Sequence, residues 1–140
     1  MPKGPSLSPI LSSYYQHIYP VPDGFVFQVS ADDNSHNANF FSVTILVDSM
    51  KLYQPQSIVL KTKGHGRGAG QYYSAIFNGT TGITSTSIYS TSDLVNGMLT
   101  IKKFDEINQI ASGTFWFNAV NSLGDTVKIT DGRFDMHFTR

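Results

Sequence analysis

A chain of 140 residues with ten basic and ten acidic side chains, 14% charged in all, carries no net charge with histidine neutral. That balance gives no electrostatic footing for nucleic acid or for an anionic membrane surface. The lack of any cysteine removes disulfides, thiolate metal sites and cysteine nucleophiles from consideration. The length fits a single domain, and no apolar run reaches the ~18 residues of a membrane helix.

Residues 1–24 hold five of the six prolines and are expected to form an N-terminal arm. A short helix is an option over Leu7 to Tyr19, with Ser8 as cap and Pro9 in the first turn. Pro2, Pro5 and Pro9 interrupt this segment and no sustained apolar stretch follows, so it does not read as a signal peptide.

Residues 25–140 read as one β domain. Phe25, Phe27 and Val29 alternate with other residues in a first strand, which is expected to end in the polar loop ADDNSHNAN from Ala31 to Asn39. Period-2 alternation marks a strand with one face on a core. Phe41, Val43, Ile45 and Val47 define a central strand, and Ile58 and Leu60 another after Pro55. Tyr72 to Phe77 and Ser85 to Thr91, rich in Ser, Thr and Tyr, suit edge or solvated strands. Leu99 and Ile101, then Phe115 and Phe117, lead two strong strands. Val127 and Ile129 mark a short strand before a turn at Asp131-Gly132, and Phe134, Met136 and Phe138 a last one. Lys103 falls where the alternation points inward, which implies a bulge or the strand's end before Phe104.

Turns are expected at Asn78-Gly79, Asn96-Gly97 and Leu123-Gly124-Asp125, where glycine permits positive φ. Gly113 marks a bulge or a close backbone approach. About eight or nine short strands at this spacing predict an antiparallel β-sandwich or a flattened β-barrel.

The stretch GMLTIKKFD, from Gly97 to Asp105, and the later IASGTFWFNAV and TVKITDGRFDMHF carry a resemblance. They are similar to an uncharacterised family of Bacteroidetes cell-envelope lipoproteins, in which a G-x-L-T-I-x-x-F-D strand precedes I-S-G-T-F-x-F-x-A and V-x-I-T-x-G-x-F-D. Ser112, Gly113, Thr114, Phe115, Phe117 and Ala119 match the second motif, and Val127, Ile129, Thr130, Gly132, Phe134 and Asp135 the third. The resemblance holds over residues 97–140, is looser over 40–96, and does not extend to 1–39; the acylated cysteine of a lipoprotein is absent from this sequence. It implies an all-β domain held outside the cytoplasm. It supplies no catalytic residue.

Chemistry is harder to place. In GHGRGAGQYY, Gly64, Gly66, Gly68 and Gly70 fall at every second position, but no Gly-Lys-Ser/Thr ending or strand-to-helix context makes a phosphate loop. A mobile hairpin loop is expected, offering His65, Arg67 and Tyr72 as ligand contacts. His17, His36, His65 and His137 show no metal-binding spacing. Asp32, Asp33, Asn34 and Asn37 make an oxygen-rich loop without the EF-hand pattern, more consistent with solvation than with calcium. Neither Asp105 with Glu106 nor Asp131 with Asp135 is fixed at a glycosidase separation, and serine appears in no nucleophile elbow. No catalytic residue, metal or cofactor is therefore assigned.

Trp116 departs from what a fold alone requires. Alternation puts Phe115, Phe117 and Ala119 on the core side, so Trp116 and Asn118 face outward. The ring is expected to pack under Tyr14, Tyr15 and Tyr19 of the N-terminal arm; the alternative is an exposed stacking platform for a sugar or a protein partner. The leading expectation is a non-enzymatic cell-envelope binding or structural module, with carbohydrate or another envelope protein as partner. A small-ligand carrier would need an internal cavity of about 300 Å³ or more, and a glycan-active hydrolase two facing carboxylates.

Overall fold

Alternating apolar residues without helical periodicity produce strands. A computed structural model describes the backbone of residues 3–7, 13–21, 24–36, 39–78 and 82–139, with side chains over 24–30, 40–76 and 85–139. The strands are β1 (Lys3–Leu7), β2 (Ser13–Val21), β3 (Gly24–His36), β4 (Asn39–Met50), β5 (Gln56–Leu60), β6 (Arg67–Asn78), β7 (Gly82–Ser90), β8 (Gly97–Asp105), β9 (Ile110–Val120) and β10 (Thr126–His137). The fold is all-β, with no helix among the described residues.

Five strands close a circuit, β9–β8–β5–β6–β7 and back to β9. Its long ladders are antiparallel, but two seams rest on a single pair each: Leu60 with Gly68 between β5 and β6, and Ser90 with Val120 between β7 and β9. Outside the circuit, β6 leads on to β4, β3 and β2, while β9 leads on to β10 and β1. These two wings meet across the core, where the rings of Phe27 in β3 and Phe134 in β10 lie 6.1 Å apart.

The core joins Val43, Ile45 and Val47 to Leu60, Leu99, Ile101, Phe117 and Ile129, all essentially buried. Phe104 and Phe138 stack at 5.3 Å at one end of it. Gly68 and Gly70 sit in β6 on the same inner face. A Cβ at Gly68 would lie 2.8 Å from Ile58 Cγ2, and one at Gly70 2.8 Å from the Phe117 ring. The alternating glycines are thus half loop and half strand, and the strand half makes room for neighbouring core side chains. This corrects the expectation of a hairpin loop through residues 64–73.

Other expectations change as well. The N-terminal helix is not formed: Lys3–Leu7 and Ser13–Val21 are strands, β1 parallel to β10 and β2 antiparallel to β3. Three tyrosines and Val21 favour extended backbone, and Pro5 and Pro20 are tolerated because both strands stand at sheet edges. The polar stretch from Ala31 to His36 is not loop but the end of β3, with Asp32 opposite Ser42 and Asp33 opposite Phe41. Residues 37 and 38 lie outside the described residues. Asn96-Gly97 is not set by positive φ; a Cβ at Gly97 would meet the backbone oxygen of Trp116. Gly79 lies outside the described residues.

Asp131-Gly132 is not a hairpin turn either. Residues on both sides of it pair with β9 in one antiparallel ladder, so Thr126–His137 is a single strand with a bulge between Ile129 and Gly132. The Leu123-Gly124-Asp125 turn does form, with Gly124 at φ 86° and the Asn121 side chain accepting from the Leu123 and Asp125 amides at 3.0 and 2.9 Å. The bulge before Phe104 forms too, between Ile101 and Lys103. So does the close approach at Gly113, whose Cβ would collide with the Thr100 carbonyl.

Candidate functional site

The outer face of β8, β9 and β10 is where the bulges act. In β9, Ser112, Thr114, Trp116 and Asn118 point away from the core set by Phe115 and Phe117. The ladders place Thr100 and Arg133 on either side of Thr114, and Lys103 and Asp135 on either side of Ser112. Opposite Trp116 the β10 strand spends two residues, Thr130 and Asp131, against one. That extra residue, with Asp131 at φ 55°, bends the strand and increases its twist beside the indole.

Two adjoining grooves lie on this face. One, of about 550 Å³, runs between Lys102, Ser112, Thr114, Arg133 and Asp135. The other, of about 420 Å³, lies between Trp116, Thr114, Thr130, Asp131 and Arg133. Thr114 and Arg133 belong to both, so the two form one open tract. Trp116 is 45% exposed over it. Among the charged lining residues Lys102 and Arg133 balance Asp131 and Asp135. The tract offers an apolar ring, hydroxyls, carboxylates and a guanidinium with no net charge. Such a surface suits a neutral, hydroxyl-rich ligand better than an ion.

The other sequence candidates are dispersed. Asn118 is on β9 beside Trp116, and its amide donates to the Asn96 carbonyl at 3.2 Å. His65 and Arg67 stand at the far seam, exposed, with Arg67 Nη1 3.3 Å from Asp93 Oδ1. Tyr72 is not a surface contact. It is 1% exposed in the core, stacked on Phe41 at 6.2 Å and tilted against Tyr89 at 5.8 Å. Burial, with a smaller contribution from Tyr89, pushes its phenol up to about 12. It lies inward because it continues the face of Gly68 and Gly70.

A third cavity, of about 290 Å³, opens on the outer face of β3, β4 and β6 between Gln28, Thr44, Lys63, Gln71 and Thr91. Thr91 forms its floor at the seam: the hydroxyl bonds to the Lys61 carbonyl and accepts from the Gly70 amide at 3.0 Å. Among the described residues no three His, Asp or Glu side chains gather as a metal site would require. Tyr14, Tyr15 and Tyr19, expected over Trp116, lie outside the described side chains.

The sequence singles out Trp116 but not Thr114, Lys102 or the Thr130-Asp131 bulge, which the structure gathers into the same tract. The outward alternation of residues 112, 114 and 116 was there to be read. The bulge was hidden behind an Asp-Gly that reads as a turn.

No helix among the described residues is long and apolar enough to cross a membrane. No curated protein and no solved structure matches the chain. One family profile does, over residues 24–136, from the first residue of β3 almost to the end of β10. The chain belongs to that family, the domain of unknown function DUF6252.

Proposed function

We propose that this DUF6252 chain is a non-enzymatic binding module of the cell envelope, a flattened barrel whose outer β8–β9–β10 face takes a neutral carbohydrate. The observation that supports the reading is the half-exposed Trp116, held over a charge-balanced tract beside the β10 bulge. An indole laid flat on a sheet stacks against the apolar face of a sugar ring, while hydroxyls and charged groups beside it exchange hydrogen bonds with the sugar's own. The envelope location rests on the resemblance to lipoproteins and on a surface polarity drawn from Ser, Thr, Asn and Tyr. A carrier reading is less favoured because the inner positions of β8, β9 and β10 are filled by packed side chains, Phe115, Phe117 and Phe134 among them.

A glycan array probed with the full chain tests this. Binding to neutral glycans is expected, with tryptophan emission shifting on addition of the ligand found. Trp116→Ala should weaken that binding about ten-fold or more, while thermal stability stays close to that of the parent because the ring is not in the core. Absence of glycan binding, or binding indifferent to Trp116→Ala, would count against the proposal.

A further inference from the structure

A row of apolar side chains crosses the strands beside Trp116. Val59 in β5 pairs with Met98 in β8, and Met98 with Trp116 in β9. Each takes the outward place in its strand's alternation, where Val59 is 40% exposed and Met98 half-buried. The outward face of an antiparallel sheet ordinarily carries polar residues, so an apolar row in register over three strands departs from what folding asks. The row ends at β5, since that strand joins β6 by the Leu60–Gly68 pair alone. Neighbouring strands lie about 4.8 Å apart, so the row runs about 10 Å from Trp116 to Val59.

Polar residues flank the row on both sides. On one side Ser57, Thr100 and Thr114 pair across the same three strands and lead on to Arg133 in β10. On the other stand Asn118 in β9 and Asn96 just before β8, joined backbone to backbone. The apolar strip is therefore one side chain wide. The apolar core of a protein interface is broader than this, and an acyl chain would make no use of the hydroxyls and amides at its sides. A linear glycan has the complementary section, with C–H-rich ring faces along its middle and hydroxyls along both edges. One strand spacing, about 4.8 Å, is also close to the length of one pyranose ring.

Resting on the carbohydrate reading of this face, we propose that the ligand is a linear neutral oligosaccharide of about three sugars or more. It crosses the strands from Trp116 over Met98 to Val59. Trp116 stacks one ring at the border of the β9–β10 tract, and Met98 and Val59 each lie under one of the next two. Ser57, Thr100 and Thr114 exchange hydrogen bonds with the hydroxyls along one edge of the chain. A ligand lying along β9 instead would pass Ser112 and Lys102 and leave Met98 and Val59 untouched.

Calorimetric titration of the full chain with β-linked gluco-, xylo- and manno-oligosaccharides of increasing length, from the free sugar upward, tests it. In a series that binds, affinity should rise about ten-fold or more by about three units and level off beyond. Val59→Thr keeps the branched shape and Met98→Gln the length of the side chain, and both remove apolar surface. Each should cancel most of the gain with length, while thermal unfolding stays within a few degrees of the parent. An affinity that is the same at every length, or a gain that survives in both variants, overturns the crossing path and leaves Trp116 as a site for a single ring. A chain that binds none of the three series also overturns it; if nothing on the glycan array binds either, the carbohydrate reading falls with it.

Discussion

Tyr72 shows what one side chain can cost and conceal. Its ring fills the interior between Phe41 and Tyr89, yet its hydroxyl is buried with no hydrogen-bond partner among the described residues. A buried polar group left unpaired costs roughly 1–3 kcal/mol. Tyr72→Phe is therefore expected to raise stability by about 1 kcal/mol in denaturant unfolding; a comparable loss would mean the hydroxyl is bonded. The phenol is held at about 12 in the folded chain, against about 10 for an exposed tyrosine. A raised pKa of this kind leaves stability intact below about pH 10, where both states are protonated, and erodes it from there through pH 12. Tyr72→Phe should flatten that alkaline decline. The inward position was legible in principle, since Gly68, Gly70 and Tyr72 share a strand face. It was missed because glycine has low strand propensity and four alternate glycines look like loop.

At the scale of the element, the β8–β9 connection is organised by Asp105. Its Oδ1 accepts from the Ile107 and Asn108 amides at 3.0 Å each, and its Oδ2 from Asn108 Nδ2 at 2.8 Å. The Asn108 bonds, backbone first and then side chain, are the main reason its carboxyl titrates below the usual carboxylate range. A lowered pKa contributes order that is present above the unfolded aspartate's value near 4 and is lost as pH falls through the folded one. Amide exchange at Ile107 and Asn108, corrected for intrinsic rates, should therefore quicken in acid and in Asp105→Ala at neutral pH. The β8 bulge was legible because a lysine at an inward position is too costly to leave there. The β10 bulge was not, because an Asp-Gly bulge and an Asp-Gly turn put the same left-handed residue into the chain. What separates them is whether both flanks pair with the same neighbour, a fact of tertiary structure.

For the whole molecule the weak points are the seams. The closed circuit holds across Leu60–Gly68 and Ser90–Val120. Thr91, 4% exposed, reaches from the end of β7 to Lys61 after β5 and to Gly70 in β6. One hydroxyl thus ties three strands where the ladders are thinnest. Thr91→Val keeps the shape and removes the bonds, and should cost about 1–3 kcal/mol in denaturant unfolding. A loss below about 0.5 kcal/mol would show the seams to be held by packing instead. The sequence made the all-β class and the strands from Phe25 onward readable through period 2. It could not show the circuit, because pairings such as Ser90 with Val120 join residues far apart in the chain and leave no periodic trace.

The Thr130-Asp131 bulge also bears on how far the fold and the outer face can be altered separately. A bulge accommodates one extra residue in a strand without changing which side chains face inward on its flanks. The fold and the proposed recognition are then separable by one residue. Deleting Asp131 should leave Val127, Ile129, Phe134 and Phe138 in the core, since both flanks already pair with β9. It should also relieve a non-glycine residue at positive φ, a strain worth about 1 kcal/mol. Thermal unfolding should stay within a few degrees of the parent, while the tract beside Trp116 changes shape and the proposed glycan binding is lost. Relatives that differ by one residue here would share a scaffold and differ in ligand.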